Sequence, residues 1–215
     1  MGGALIRMDA GLAGWARAAG AREATRDSSR RLPVLWLFTD RRRLADPLAA
    51  VARLPRGLAG VVLRDDDDPG RAALGLALAR LCRARRLALV VAGDVRLAAA
   101  LGAGVHLRGG RWPDGARPGP IRGGRPRGGR LLTSSAHTPA ELRRARRAGA
   151  ALAFLSPAFP TASHPGGRAL GPARWATLAR RAGLPVAALG GVAGGTVKRL
   201  PRGLCRAIGA IGGLA

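Results

Sequence analysis

The sequence predicts an α/β fold, a compact barrel of eight parallel strands surrounded by shortened helices. Eight short runs, each apolar throughout, recur along the 215 residues, which is typical of parallel strands covered on both faces. Segments with helical spacing alternate with these runs. No Gly-x-Gly-x-x-Gly follows the first run, which disfavours the alternative of a doubly wound open sheet. The pattern therefore favours a (β/α)8 TIM barrel.

The first half of the predicted barrel ends in a segment that is not helical. Strands are predicted at 33–40, 58–64, 87–94 and 104–110, with helices at 46–54 and 70–86 and a short helix at 95–102. Residues 108–130 replace the fourth barrel helix, and their Gly, Pro and Arg content is incompatible with a helix. We interpret this irregular loop as a mobile lid or a degenerated helix. Its three Arg-Gly-Gly repeats would also suit RNA binding, the lesser alternative because only Trp112 could stack on a base.

The second half of the barrel has clearer helix boundaries. Strands are predicted at 130–137, 151–157, 184–191 and 205–213, with helices at 138–149 and 171–183 and a short helix at 194–203. Thr138 is the expected N-cap, Pro139 takes the first helical position, and Glu141 follows three residues after the cap, which predicts a capping box. Gly183 is expected to close the next helix.

The predicted domain organisation is a single barrel at 32–215 preceded by an extension, amphipathic or loose and flexible, at 1–31. The extension lacks the apolar core of a secretory signal, and no run approaches the about 18 apolar residues of a membrane helix. Cys82 and Cys205 lie far apart without metal-ligand spacing, so we expect buried free thiols in a reducing compartment and a cytoplasmic protein.

The charge is strongly basic, with 37 Lys+Arg against 12 acidic residues and a net charge of +25, and Lys198 is the only lysine. This balance is typical of a polyanion partner such as nucleic acid or phosphates. A bias of the whole composition toward Ala, Arg, Gly and Pro explains it equally. We favour the bias, and expect no nucleic-acid partner, because the arginines are dispersed and only 3% of the residues are aromatic.

Polar residues gather where the predicted strands end. In a barrel of this kind the carboxyl ends of the strands form the active site, so these side chains should converge on one mouth. They are Asp40, Arg64 with Asp65 to Asp68, Asp94, His106, Ser134, Ser135, His137, Thr161, Ser163, His164, Gly190, Gly191 and the glycines of 209–213. Local roles compete with this interpretation. Asp40 and Asp94 suit helix caps, and a structural role is favoured for His106.

Six motifs occur in the order and at the intervals of a known family. They are LFTD (37–40), GVVLRD (60–65), GDVRLAAALGAGVHL (93–107), SSAHTPAEL (134–142), LSPAFPTASHPGGRALG (155–171) and PVAALGGV (185–192). Together they resemble the thiamine-phosphate synthase and thiazole tautomerase (TenI-type) family, from about Leu32 to Ala215.

The resemblance implies a thiamine-biosynthetic transferase. Such a synthase joins hydroxymethylpyrimidine diphosphate to thiazole phosphate and releases pyrophosphate, with Mg2+ holding the diphosphate. The expected partners are these small phosphorylated substrates and no membrane, and a homo-oligomer is left open. The chemistry requires cations for the diphosphate, carboxylates for Mg2+ and backbone N–H groups for the thiazole phosphate.

The positions that the family uses for the thiazole phosphate are largely retained. By resemblance, Thr161 and Ser163 supply hydroxyls to phosphate groups, and Gly190 and Gly191 form the phosphate-binding pair after strand seven. Ser135 matches the family serine of strand five. Two positions of this group differ from the family. Gly209 replaces a serine that commonly helps at strand eight, and His164 stands where the family has a lysine.

The positions that hold the diphosphate are substituted. Of the family's Gln-x-Arg-x-Lys after strand two, only Arg64 remains, with Val62 and Asp66 at the other positions. After strand three, Asp94 matches a Mg2+ ligand of the family only if the register against the family motif is shifted by one residue. The second Mg2+ carboxylate falls near Gly110 and Arg111.

These substitutions leave a second activity open. The tautomerase branch moves a proton on the carboxythiazole ring, which requires an acid–base group rather than Mg2+. His137, at a strand end, is the candidate, so the expected catalytic residues are Arg64, His137 and His164. A protein that binds thiazole or thiamine phosphate without turnover is the remaining alternative.

Overall fold

A closed barrel of eight parallel strands forms the centre of the computed structural model. The structure describes residues 9–25, 31–64, 68–113, 116, 130–161 and 167–211. The strands follow one another around the barrel in chain order, and the first pairs in parallel with both the second and the eighth. The predicted (β/α)8 fold is confirmed.

The strands and helices of the barrel lie where the sequence predicts them, and α2, α4 and α7 have only four to seven residues. The strands are β1 Leu35–Phe38, β2 Ala59–Leu63, β3 Ala88–Ala92, β4 Gly104–Leu107, β5 Leu132–Ala136, β6 Leu152–Leu155, β7 Val186–Leu189 and β8 Cys205–Ala210. The helices are α1 Ala10–Ala24, α2 Pro47–Arg53, α3 Arg71–Arg85, α4 Val95–Leu101, α5 Pro139–Arg147, α6 Gly171–Arg181 and α7 Gly194–Val197. The described residues of the 108–130 loop, which are 108–113, 116 and 130, contain no helix.

The barrel interior is built around aromatic rings from alternate strand positions. Trp36 and Phe38 point inward from β1, and Phe154 meets them edge-on from β6, with ring centroids 5.4 and 4.9 Å away. Glycines on neighbouring strands make room for these rings. A Cβ on Gly60 would lie 2.6 Å from the Trp36 ring, and one on Gly209 would lie 2.9 Å from that of Phe38. The alternate strand positions, such as Leu35 and Leu37, pack outward against the helices.

The helix α1 lies within the predicted N-terminal extension and packs on the barrel. Asp9 caps it, and its residues Leu12 and Trp15 join the same apolar cluster as the outer faces of the strands. The buried carboxylate of Glu23 pairs with Arg206 at the start of β8 and accepts a hydrogen bond from the Leu32 amide at 3.2 Å. The domain boundary at Leu32 stays a prediction, and α1 adds a helix to the outer layer beside α7.

The two cysteines are buried thiols, as predicted from their apolar surroundings. Burial raises the pKa of Cys82 and of Cys205 to about 12, so both remain protonated and unreactive at neutral pH. No helix in the described ranges is both long enough and apolar enough to cross a bilayer.

Candidate active site

A cavity of about 900 Å³ opens at the carboxyl ends of the strands, where the barrel fold places active sites. Phe38 and His106 form part of its floor, and residues that follow β2, β4, β5, β6 and β7 form its walls. Several of the predicted site residues line it together: Arg64, Ser135, His137, Thr161, Gly190, Gly191 and Gly209. Positions up to 145 apart in the chain are thus brought to one mouth when the barrel closes.

Of the other three predicted site residues, the structure describes only Asp94. Asp94 does not line the cavity, since it acts as the N-cap of α4. Ser163 and His164 lie outside the described residues. The proposed contacts of these two with a phosphate, and the exchange of lysine for histidine at 164, remain predictions from the sequence.

Arg64 is held at the mouth by the residues that follow β1. Its backbone amide donates to the Thr39 hydroxyl at 3.0 Å, and its Nη2 donates to Asp40 Oδ2 at 2.7 Å. The same Asp40 oxygen lies 3.8 Å from Arg43 Nε. The Arg64 side chain stays 45% exposed, so its guanidinium has faces left for a ligand in the cavity.

His137 has a defined orientation because of the loop after β6. Its Nδ1 lies 3.0 Å from the backbone oxygen of Ser156 and 3.3 Å from the hydroxyl of that residue. A carbonyl oxygen only accepts, so this contact places the proton of the neutral ring on Nδ1. The Nε2 atom is then an acceptor, the form that a general base requires.

The backbone at His137 is fixed by the start of α5. Glu141 Oε2 accepts hydrogen bonds from the amides of His137 at 2.5 Å and of Thr138 at 3.1 Å. The Thr138 hydroxyl accepts from the Glu141 amide at 3.3 Å, which confirms the predicted capping box. Glu141 lines the cavity, but its carboxylate serves the helix start.

Gly190 and Gly191 allow the loop after β6 to lie against the end of β7. Their φ angles are +86° and +64°, which favour glycine, and a Cβ on Gly191 would collide with the backbone oxygen of Pro160. The Phe159 amide donates to the Gly190 oxygen at 3.0 Å. The glycine pair therefore holds Thr161 beside the mouth, in addition to the phosphate contact that the resemblance implies.

His106 is a neutral group on the cavity floor. The residue is 4% exposed, its Nδ1 lies 2.9 Å from the Thr133 hydroxyl, and Phe38 and Phe154 pack against its ring. Burial, and secondarily the charge of Arg64, lower its pKa from 6.5 to about 3. The ring is therefore uncharged at neutral pH. Its burial agrees with the structural role favoured from the sequence, and its position also gives it access to a ligand.

Five further arginines and two other polar groups line the cavity, and none of them was among the predicted site residues. They are Arg43, Arg108, Arg111, Arg144, Arg168, Glu141 and Ser156. The resemblance pointed to the neighbourhood of Arg111 only as the place of a Mg2+ carboxylate. Arg108 directly follows β4, so its position at a strand end favours a place at the mouth. Because arginine is frequent along the whole chain, its residue type did not distinguish it from the surface arginines. Arg144 lies within a helix, and its place at the mouth follows from its Nε donating to the Gly109 oxygen at 2.9 Å.

The described carboxylates do not fit a Mg2+ site. Asp94 Oδ1 accepts from the Leu97 amide at 2.8 Å, and its Oδ2 lies 3.8 Å from Arg71 Nη1. Asp40 is held by Arg64, Glu141 by the start of α5, and Asp68 by Arg41 and the Gly70 amide. Within the described ranges no three His, Cys, Asp or Glu side chains come together as a metal site. Mg2+ takes about six oxygen ligands, usually one or two carboxylates together with substrate phosphates and waters. None of these carboxylates is left unpaired and directed into the cavity to serve as such a ligand. Asp65 to Asp67 lie outside the description.

Comparisons with known proteins agree with this architecture. The sequence profile of the thiamine monophosphate synthase family matches residues 35–213. The thiamine biosynthesis bifunctional protein ThiED of Geobacter sulfurreducens is 33% identical over 133 residues, which are 60% of this chain and 26% of that protein. The matched part is thus about a quarter of the length of this relative.

Two solved structures share the fold. Thiamine phosphate pyrophosphorylase from Pyrococcus furiosus has a TM-score of 0.66 at 22% identity, covering 86% of this chain and 88% of that chain. The 2-keto-3-deoxy-6-phosphogluconate aldolase of Zymomonas mobilis has a TM-score of 0.52 at 15% identity, covering 86% and 83%. At these identities the likeness is one of fold. The profile match spans the barrel from β1 through β8, and the chain therefore belongs to the thiamine monophosphate synthase family.

Proposed function

We propose that the chain acts in thiamine biosynthesis as a thiamine-phosphate synthase-type transferase. The proposal rests on one cavity at the mouth of a barrel of this family. Arg64, Ser135, Thr161 and the Gly190–Gly191 pair line that cavity together. These are the positions that the family resemblance links to phosphate groups. The proposed substrates are hydroxymethylpyrimidine diphosphate and thiazole phosphate.

The proposed reaction is a substitution at the pyrimidine methylene carbon. The bond from this carbon to the diphosphate oxygen breaks, pyrophosphate leaves with the electron pair, and the thiazole nitrogen lone pair forms the new C–N bond. Arg64 would stabilise the negative charge that develops on the leaving group. Ser135, Thr161 and the backbone of the glycine pair would hold the thiazole phosphate, which places the nitrogen for attack. The described residues provide no Mg2+ site, so no step is assigned to a metal.

The direct test is complementation of a thiamine auxotroph that lacks its synthase, together with pyrophosphate release from the two substrates in vitro. We expect growth and release with the wild-type chain. Arg64→Ala should lower kcat/KM by about 100-fold, since it removes a charge-assisted contact to the leaving group. Arg180→Ala, an exposed arginine of α6 outside the cavity lining, is the matched control. A folded wild-type protein that neither complements nor releases pyrophosphate would refute the proposal.

One observation favours a second candidate, a thiazole tautomerase-like activity. The Ser156 contact leaves His137 Nε2 as an acceptor at the cavity, as proton transfer requires. This activity predicts metal-independent proton exchange on carboxythiazole phosphate that His137→Ala abolishes and Arg64→Ala leaves largely intact. Stabilisation by thiazole or thiamine phosphate without either turnover would instead indicate a binding protein.

Two further parts of the proposal concern the setting of the protein. We place it in the cytoplasm, in agreement with the two buried, protonated thiols. The proposed partners are its phosphorylated substrates, and a homo-oligomer remains a hypothesis that measurement of the molar mass in solution would decide.

A further inference from the structure

Arginines dominate the charged lining of the cavity. Six line it, and they come from five different connections of the barrel: Arg43, Arg64, Arg108, Arg111, Arg144 and Arg168. Among the described lining residues, Glu141 is the single carboxylate. It lies 3.7 Å from Arg144, and its Oε2 is taken up by the amides at the start of α5. The described part of the mouth is therefore strongly cationic.

The turn after β4 carries two of these arginines and is fixed in place. Arg108 and Arg111 form an isolated antiparallel bridge, with the Arg111 amide donating to the Arg108 oxygen at 3.0 Å. The amides of Gly109 and Gly110, between them, donate to the Ser135 hydroxyl at 3.3 Å and to the Ser134 hydroxyl at 2.9 Å.

The same turn is also tied to α5. Arg144 Nε donates to the Gly109 oxygen at 2.9 Å, and a Cβ on Gly110 would collide with the backbone of α5 at Ala145. The positive φ of Gly109 and Gly110, +57° and +73°, permits this close approach. The turn therefore presents Arg108 and Arg111 to the cavity from a backbone that β5 and α5 both hold.

Arg111 brings a positive charge close to where the family resemblance expects a negative one. The family resemblance puts the second Mg2+ carboxylate near Gly110 and Arg111, and the structure shows Arg111 on the cavity wall. A guanidinium there repels a divalent cation and attracts phosphate oxygens, to which it can donate two parallel hydrogen bonds.

We propose that this cavity binds a diphosphate group directly through Arg64, Arg108 and Arg111, without a divalent cation. The three guanidinium groups take over the charge neutralisation that Mg2+ supplies elsewhere. This inference rests on the proposed function for the identity of the ligand, since the leaving group of the synthase reaction is pyrophosphate. The binding itself is independent of turnover.

The test uses the full chain and inorganic pyrophosphate as the probe. Calorimetric titration in excess EDTA should show binding, and added Mg2+ should leave the affinity unchanged or weaken it, because Mg2+ complexes the free ligand. Arg108→Ala and Arg111→Ala should each weaken binding by about tenfold or more. Arg180→Ala, which keeps the cavity intact, should not. Binding that requires Mg2+, or an Arg111→Ala variant with wild-type affinity, would overturn the inference.

A charge-reversal variant distinguishes a charge effect at the site from a general loss of binding. Arg111→Asp introduces a carboxylate close to where the family resemblance expects one, near Gly110 and Arg111. We expect its affinity for pyrophosphate in EDTA to fall by more than that of Arg111→Ala and to recover in part when Mg2+ is added. If Mg2+ strengthens binding equally in the wild type and in Arg111→Asp, the proposal is wrong.

Failure of this inference and failure of the proposed function give different results. Metal-free pyrophosphate binding without turnover of the two substrates would refute the synthase proposal and support the anion site. Turnover with pyrophosphate binding that depends on Mg2+ would support the synthase and overturn the arginine site.

Discussion

Two residues of the cavity floor show how a side chain at one position shapes the site. His106 is buried between two phenylalanine rings and is kept neutral, although a histidine in water titrates near neutral pH. The family resemblance suggests a serine at Gly209, and the ring of Phe38 occupies the space that a serine Cβ would need there. Both features follow from the aromatic interior of the barrel.

The buried His106 predicts a specific dependence of stability on pH. The folded state holds a pKa of about 3 and the unfolded chain one of 6.5, so only the unfolded chain gains a proton between these values. Stability is therefore full above pH 6.5 and is lost as the pH falls toward 3. We expect His106→Gln to reduce this slope of the unfolding free energy by up to about 1.4 kcal/mol per pH unit.

The measurement is chemical denaturation across that pH window. Thr133→Val removes the hydrogen-bond partner of His106 but keeps the buried imidazole, so it should lower stability and preserve the slope. An unchanged slope in His106→Gln would show that the ring is not the source of the pH dependence.

The packing around Gly209 predicts that a serine at this position lowers the stability of the fold. Gly209→Ser places a Cβ 2.9 Å from Phe38 and 3.0 Å from Leu189, so we expect the unfolding free energy to fall by about 1–3 kcal/mol. Gly195→Ser is the control, because a Cβ there meets nothing within 4 Å. Combining Gly209→Ser with Phe38→Leu should recover part of the loss in urea denaturation. Equal stability of Gly209→Ser and the wild type would contradict this account.

At the scale of elements, the start of α5 joins helix stability to the geometry of the mouth. Thr138 and Glu141 satisfy the first amides of the helix, and Glu141 also holds the amide of His137. Helix and site therefore share one carboxylate. The other turn held by α5, at Gly109 and Gly110, carries Arg108 and Arg111.

Removal of the cap should thus affect both stability and the site. We expect Thr138→Ala to lower the unfolding free energy by about 1 kcal/mol, as for other N-caps, and Thr138→Ser to be close to the wild type. Glu141→Ala should also impair any activity that depends on His137. Urea denaturation and substrate turnover measure the two effects. A Glu141→Ala variant that loses stability and keeps full activity would show that the cap does not position His137.

At the scale of the whole molecule, the net charge of +25 favours repulsion between distant parts of the surface. Salt screens such repulsion, with a Debye length that falls from about 20–30 Å in dilute buffer to about 8–10 Å near physiological ionic strength. We expect Tm to rise with NaCl over this range. Sucrose at matched osmolality, which screens no charge, is the control. A Tm that falls with NaCl would indicate that local ion pairs outweigh the net repulsion.

The same positive charge is one reason why RNA binding by the 108–130 loop stays open as the lesser hypothesis. Most of the 108–130 loop lies outside the described residues, so its Arg-Gly-Gly repeats remain a sequence observation. The structure gives a separate use for the first of them, because Arg108 lines the cavity and Gly109 and Gly110 are bound to β5 and α5.

Much of the fold was predictable because its signals are local. A wholly apolar run predicts a strand covered on two faces, and Thr138-Pro139 followed by Glu141 predicts a helix start without knowledge of its neighbours. Part of the site was predictable by the same means, since Arg64, Ser135 and His137 stand at strand ends. Asp94 also stands at a strand end, but its carboxylate caps the next helix. Here the local hydrogen bond to the helix competes with the predicted contact to a metal at the mouth.

By itself the sequence determined the number, order and kind of the barrel elements after Leu32, and with them the closed barrel and the face that carries the site. Only the tertiary structure decided which arginines act together. The strand-end rule reaches Arg108 and the resemblance reaches the neighbourhood of Arg111, but no local pattern shows that these two lie beside Arg64 and Arg144 at one cavity. Their meeting depends on strand register and on a glycine turn held between β5 and α5, and such distances between remote residues are set when the barrel closes.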